Sequence, residues 1–135
     1  MATYDHLPVY KTSYDLILEL FQTANSFSRD YRFTIGEKIK NETMEMIICI
    51  YRANKSFVER GKHIGEAREK VETIRFLLRV LKDLKQLGFK KFVYLNEKVE
   101  SVSKQLSLWE AKNKIKYGPE PSFAETKAGA PLPVQ

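Results

Sequence analysis

Residues 66–87 read EAREKVETIRFLLRVLKDLKQL, and the spacing of their apolar side chains sets the architecture of the chain. These side chains recur at intervals of three or four residues, which places them on one face of an α-helix. They are Ala67, Val71, Ile74, Leu78 and Leu81, with Leu77 and Leu84 beside them. We therefore predict a helix over 66–87 that buries one face and ends at Gly88.

Two segments before this helix repeat the same spacing. The first predicted helix covers 7–28, and Pro8 fits its first turn because a missing N–H costs nothing there. Its predicted buried stripe comprises Leu7, Tyr10, Tyr14, Ile17, Phe21 and Ala24. Thr34 then resembles an N-cap, with Glu37 as its capping-box partner. The second predicted helix follows, and its stripe comprises Ile39, Thr43, Met46, Ile50, Ala53 and Phe57.

The last helical segment covers 89–117. Its stripe comprises Phe92, Leu95, Val99, Val102, Leu106 and Trp109. Gly61 and Gly65 bracket the predicted break between the second and third helices, with Gly65 as an alternative start of the third, and Gly118 ends the fourth. Each predicted helix therefore has a boundary that local sequence chemistry explains.

Together these segments predict an all-α protein, an antiparallel up-down-up-down four-helix bundle over 1–117. Short links force neighbouring helices to run antiparallel, and the spacing of three and four favours near-parallel packing of their axes. Four of the five prolines lie in 118–135, which has no apolar period. We predict that 118–135 is a disordered C-terminal tail.

Charge is the first indication of function. Lys and Arg number 23 against 17 Asp and Glu, which gives a net charge of +6 in 135 residues. A basic excess in a small protein favours an anionic partner, and nucleic acid is the first candidate. An ordinary soluble basic surface is the alternative.

Cysteine content and apolar runs indicate the compartment. Cys49 is the single cysteine, so an intramolecular disulfide and a cysteine-based zinc site are both excluded. The N-terminal residues lack the pattern of a secretory signal, and no apolar run approaches the roughly 18 residues of a membrane span. We predict a cytoplasmic protein with no membrane partner.

The residues that usually carry catalysis are sparse. Cys49 and His63 lie far apart in the sequence, and a lone helical cysteine is usually a small core residue. A di-iron site in a bundle needs two Glu-x-x-His motifs, whereas Glu59 and His63 form one pair at a different spacing. We predict no catalytic residues, no metal ligands and no cofactor, and hence no enzyme.

A basic stripe on the third predicted helix is the candidate binding site. It comprises Arg68, Arg75, Arg79, Lys82 and Lys85, next to the apolar seam. Arginine binds phosphate in a bidentate way, so the stripe is a candidate contact for nucleic acid or for a protein partner. A solvated helix face is one alternative, and a position between subunits is another. A second basic group, Lys112, Lys114 and Lys116, ends the fourth helix; we favour the explanation that it complements the helix dipole, and a further binding contact is the alternative.

Several aromatic residues are candidate platforms for nucleic-acid bases. The candidates are Tyr14, Tyr31, Tyr51, Tyr94 and Trp109. Aromatic residues at helical spacing usually pack in a core, so we assign Tyr14 and Trp109 to packing and Tyr31 to the link after the first helix.

Several short stretches resemble a known family. They are LPVYK at 7–11, YDL at 14–16, FSRDYRFTIGE at 27–37, IYRAN at 50–54 and IRFLLRVLKDL at 74–84. In this order they resemble the accessory variability determinant proteins of diversity-generating retroelements. The wider superfamily includes four-helix proteins encoded in intervening sequences of 23S ribosomal RNA genes. Those carry a Ser-x-Pro-Ser-Asn-Ile-Ala-Glu-Gly-like stretch that ETMEMIICIY at 42–51 lacks, which favours the retroelement branch.

The resemblance implies a function and an assembly that the residues alone do not. It implies a homopentameric barrel of four-helix bundles that binds nucleic acid (template RNA, cDNA or DNA) and the reverse transcriptase of the retroelement. Such a protein is not an enzyme, and it supports mutagenic cDNA synthesis and retrohoming. The alternative is a structural or protein-interaction bundle of the intervening-sequence type.

Overall fold

The computed structural model of the chain describes residues 7–117. Within these residues the protein is helical and has no strand. The helices are α1 (Pro8–Ala24), α2 (Arg29–Arg32), α3 (Ile35–Lys55), α4 (Arg60–Asp83) and α5 (Phe89–Tyr117). The prediction of a disordered tail over 118–135 lies outside the described residues.

The four long helices surround one apolar core. α3 packs against α1 and α4, and α5 packs against α4 and α1, so each helix contacts its neighbours in sequence and the ring closes between α1 and α5. The core side chains with the largest volume and almost no exposure are Phe27, Leu16, Leu20, Ile39, Met46, Ile50, Ile64, Ile74, Leu78, Leu81, Leu95 and Leu106. The prediction of an all-α four-helix bundle is confirmed. Among residues 7–117 no helix is both apolar enough and long enough to cross a lipid bilayer.

The buried stripes of α4 and α5 agree with the prediction, whereas the stripe predicted for α1 was wrong in part: Ala24 is buried and Leu7 and Tyr10 pack against the core, but the rest of the stripe does not face it. The buried residues of α1 are Val9, Ser13, Leu16, Leu20 and Ala24. Tyr14 and Phe21 of the predicted stripe are exposed. α1 carries two apolar stripes about 100° apart around the helix. The stripe with the smaller side chains is buried in the core, and the stripe with the aromatic side chains is not. The aromatic stripe stays on the surface beside α3, where Lys40 lies 5.2 Å from the centroid of the Phe21 ring.

The link between α1 and α3 also differs from the prediction. α1 ends at Ala24 rather than at residue 28, because Phe27 turns inward and is buried. A Cβ at Gly36 would lie 3.3 Å from the Phe27 ring, so the glycine lets the ring fit closely. The predicted capping box is absent: Thr34 occupies the N-cap position of α3, but its hydroxyl donates to the backbone oxygen of Asp30 at 3.0 Å.

The break between α3 and α4 falls earlier than Gly61 and Gly65, which both lie inside α4. The turn occupies residues 56–59, so Phe57, predicted as a seam residue, is instead exposed beyond the end of α3. Arg60 closes the turn, since its guanidinium donates to the backbone oxygens of Ala53 at 2.8 Å and Asn54 at 3.1 Å. These bonds satisfy carbonyls that the end of a helix leaves without partners.

Candidate nucleic-acid interface

The structure divides the predicted basic stripe into two parts. The first part, Arg68 and Arg75, points across the groove between α4 and α5 and is held there by carboxylates. Arg68 pairs with Glu110 of α5. Both arginines therefore join α4 to α5, which favours a structural role for them over phosphate binding.

Arg75 is the more tightly held of the two. Its Nε donates to Glu100 at 2.7 Å, and its Nη1 donates to Glu72 at 2.5 Å. The hydrogen bonds to Glu100 and Glu72 raise the pKa of Arg75, and the hydrogen bond from Arg75 lowers the pKa of Glu72. These two bonds use two of the five N–H donors of Arg75 and place two carboxylates against its charge, so a phosphate would have to compete with Glu72 and Glu100.

The second part of the stripe, Arg79, Lys82 and Lys85, lies toward the end of α4. The side chain of Arg79 is 69% exposed and is only loosely paired with Asp83, at 3.5 Å. The Nζ of Lys82 lies 5.1 Å from the centroid of the Phe92 ring and contacts no carboxylate among the described residues. These cations keep donors available to an incoming anion.

Lys85 ends α4 in a conformation that lysine rarely adopts. Its φ is +62°, the left-handed region that glycine usually occupies at this position. The Lys85 amide donates to Lys82 and the Gln86 amide donates to Leu81, both at 2.9 Å, which is the hydrogen-bond pattern of a Schellman motif. The prediction that Gly88 ends the helix was wrong, because Leu87 is buried and the chain must turn inward before reaching Gly88.

We expect Lys85→Gly to stabilise the fold by about 1 kcal/mol, because glycine adopts positive φ without a steric penalty. Lys85→Ala should bring no such gain, since alanine keeps the Cβ that causes the strain. Both variants remove the same charge, so they form a matched pair. Urea denaturation followed by circular dichroism gives the comparison, and equal stability of the two variants would contradict the assignment.

The α4–α5 loop is tied to the segment that contains α2. The side-chain oxygen of Gln86 accepts a hydrogen bond from the backbone N–H of Ser28 at 2.8 Å. Arg29 follows Ser28 directly, and Lys85 precedes Gln86, so these two exposed cations flank the bond on either side. Lys90, in the first turn of α5, lies at the same end of the bundle.

We call this end of the bundle the basic end and define it by five cations. They are Arg29, Arg79, Lys82, Lys85 and Lys90. Arg79 alone among them has a carboxylate partner within the described residues. Sequence reasoning missed Arg29 and Lys90 as site residues because neither lies on the periodic face of α4. The excess of basic residues from 75 to 91 was the available signal for Lys90.

The opposite end of the bundle is also cationic but is built differently. Lys62, Lys112 and Lys114 are exposed there. Lys114 lies in the last turn of α5. A cation there stabilises the helix by interacting with the negative end of its dipole, which is the explanation we favour for this group. This end therefore provides a matched control for any test of the basic end.

The side chains considered for catalysis do not form a reactive centre. His63 contacts Glu66 at 3.1 Å and Glu59 at 3.6 Å on the surface of α4. Cys49 is buried on α3, and burial raises the pKa of its thiol, which keeps it protonated. No cluster of histidine, cysteine and acidic side chains among residues 7–117 is arranged to hold a metal ion.

Fold and charge together define the class of protein: a small basic four-helix bundle with a cluster of five cations at one end. The chain belongs to the bAvd-like family, whose family model matches residues 8–113, nearly all of the bundle. The resemblance to the accessory variability determinant proteins is thereby confirmed, and the family is one of accessory proteins. No curated protein matches the chain.

Proposed function

We propose that this protein is a non-enzymatic, cytoplasmic accessory protein of a diversity-generating retroelement. It binds nucleic acid and the reverse transcriptase, and so supports mutagenic cDNA synthesis and retrohoming. The single observation that carries the proposal, beside the family, is the basic end, where four of five cations lack a carboxylate partner within the described residues. The phosphates of a nucleic acid can serve as the negatively charged partners of these cations.

The physical argument for nucleic acid is that binding releases counterions. Each phosphate neutralised by a lysine or arginine frees condensed cations, which gives affinity without sequence preference. Cations that are already paired with carboxylates gain less, because binding must first break the existing pair. This is why the proposal assigns Arg79, Lys82 and Lys85 to binding and leaves Arg68 and Arg75 to the α4–α5 groove.

The proposal includes a homo-oligomer, a pentamer in the form that the resemblance implies. An exposed apolar surface across α1 and α3, which we call the outer face, supports it. The outer face comprises Tyr14, Leu18, Phe21, Met44, Ile48 and Tyr51. Exposed large apolar side chains on two helices that pack together are typical of a protein–protein interface. A ring would also repeat the basic end around its axis, which multiplies a modest local charge.

Light scattering tests the assembly. The parent should have a mass about five times that of the 15.7 kDa chain. Leu18→Glu and Ile48→Glu, which place charge on the outer face, should lower this mass while helicity is retained. Val58→Glu, in the exposed α3–α4 turn, is the matched control and should leave the mass unchanged. A monomeric parent at micromolar concentration contradicts the oligomer.

Fluorescence anisotropy tests the binding function. The parent should bind short RNA and DNA without sequence preference. We expect about three to five phosphates to be neutralised. A plot of the logarithm of the affinity for single strands against the logarithm of the salt concentration should then have a slope of about −2 to −4. Co-purification with the co-expressed reverse transcriptase tests the second partner. Absence of nucleic-acid binding at low salt contradicts the proposal and leaves the protein-interaction bundle as the alternative.

A further inference from the structure

Two phenylalanines at the basic end are far more exposed than phenylalanine normally is. Phe33, directly after α2, is 63% exposed, and Phe89, the first residue of α5, is 74% exposed. Neither belongs to a periodic apolar face, and neither contributes to the core. An exposed large apolar side chain raises the question of what it contacts in function.

Both rings have a basic residue next to them in the chain. The guanidinium of Arg32 lies 5.7 Å from the centroid of the Phe33 ring. Phe89 is followed by Lys90, and the Ser28–Gln86 bond holds the two loops that carry the rings at one end of the bundle. The surface therefore combines exposed aromatic rings with cations, of which Arg79 alone has a carboxylate partner within the described residues.

We propose that the basic end binds single-stranded nucleic acid, with unpaired bases stacking on Phe33 and Phe89 while the cations hold the phosphates. This inference rests on the proposed function, since it names the form of nucleic acid that the same end prefers. Bases in a duplex are stacked on each other and offer no free face, whereas unpaired bases do. Stacking on an aromatic side chain does not depend on base identity, so preference for single strands comes without sequence preference.

The combination separates two contributions to binding that can be measured independently. The cations act on the backbone, so their effect changes with salt and applies to any nucleic acid. The rings act on bases, so their effect is largely independent of salt and requires an unpaired base. A surface of cations alone has no reason to prefer a single strand to a duplex of equal length.

The test compares Phe33→Ala and Phe89→Ala, alone and combined, with two matched controls. Phe76→Ala removes a ring that is 65% exposed in the middle of α4, and Phe57→Ala removes a ring that is 58% exposed at the opposite end. The probes are a labelled pyrimidine DNA strand, the same backbone with abasic sites, and a duplex. Circular dichroism and light scattering check that fold and mass are retained.

Each substitution at the basic end should weaken binding of the intact strand by about 10-fold, while the salt slope stays that of the parent. Duplex affinity should stay within about twofold. The double variant should bind intact and abasic strands equally, whereas the parent should prefer the intact strand. Both control variants should bind as the parent does.

Equal losses on intact, abasic and duplex probes would overturn the inference, because the rings would then act without contacting bases. Unchanged affinity of the double variant would overturn it too, while leaving the proposed function standing if the parent binds with the expected salt slope. A parent that binds none of the probes fails the proposed function itself, and the inference falls with it.

Discussion

Replacing Arg79, Lys82 and Lys85 together by glutamine should lower the affinity for single-stranded RNA about 100-fold at roughly 0.1 M salt. Each phosphate contact contributes about −0.7 to the salt slope on single strands, so three lost contacts reduce the slope by about 2. At about 1 M salt counterion release no longer contributes, so parent and variant should bind with similar affinity there. A tenfold decrease in salt then separates their affinities by about 100-fold, because the slopes differ by about 2. Anisotropy titrations at several salt concentrations measure both quantities.

The control changes the same net charge at the other end of the bundle. Lys62→Gln, Lys112→Gln and Lys114→Gln remove three exposed cations there. If binding is localised at the basic end, the control triple variant should retain affinity within a few-fold of the parent. Equal losses in the two triple variants would mean that nucleic acid responds to overall charge, and the assignment of the basic end would be wrong.

The second large effect concerns stability rather than binding. Arg75→Glu should destabilise the bundle by about 2 kcal/mol, because it removes charged hydrogen bonds to Glu72 and Glu100 and places three carboxylates together. Arg79→Glu, one turn further along α4, should cost well under 1 kcal/mol, since Arg79 is exposed and loosely paired. Urea denaturation gives the two values, and a larger loss for Arg79→Glu would contradict the division of the stripe.

The pH dependence of this difference provides an independent check. The hydrogen bond from Arg75 lowers the pKa of Glu72 below its ordinary value of 4.5. A carboxylate with a lowered pKa stabilises the fold above its unfolded pKa and loses that contribution as pH falls through its folded pKa. The stability gap between the parent and Arg75→Glu should therefore be widest near neutral pH and narrow below about pH 4, where carboxylates also stop repelling one another. A gap that is independent of pH would show that the ion pairs are not its cause.

The buried stripes of α3, α4 and α5 could largely be predicted from sequence, and that of α1 could not. α5 has the bounds Phe89–Tyr117 that its sequence predicts, and its predicted stripe faces the core. α1 offers two stripes, and the choice between them depends on side-chain volume in the space left by α3 and α5. Spacing alone contains no information about that space.

The candidate site was predicted in part for a related reason. The periodicity of α4 finds Arg75 and Arg79 on the same side, but whether each is free depends on which residue of α5 lies opposite. Glu100 lies opposite Arg75, and that register is a tertiary property. Phe33 and Phe89 could not be predicted as site residues from spacing. Phe33 follows the end of α2 and Phe89 begins α5, and an apolar period does not identify residues at such positions.

The turn at Lys85 shows a local rule overridden by burial. Glycine is the usual residue at positive φ, so the nearest glycine was the natural choice for the end of α4. The inward turn needed to bury Leu87 instead places the strained conformation on a lysine. The cost of that strain, about 1 kcal/mol, is less than the roughly 2 kcal/mol that burial of a leucine side chain contributes.

Photo-crosslinking with RNA that carries 4-thiouridine tests most directly whether the basic end contacts nucleic acid. After digestion, mass spectrometry should find the crosslinks in the peptides that contain Phe33 and those that contain Lys85 to Lys90. High salt should reduce their yield. Crosslinks concentrated instead at the α3–α4 turn and the end of α5, around Lys62 and Lys112, would contradict the account.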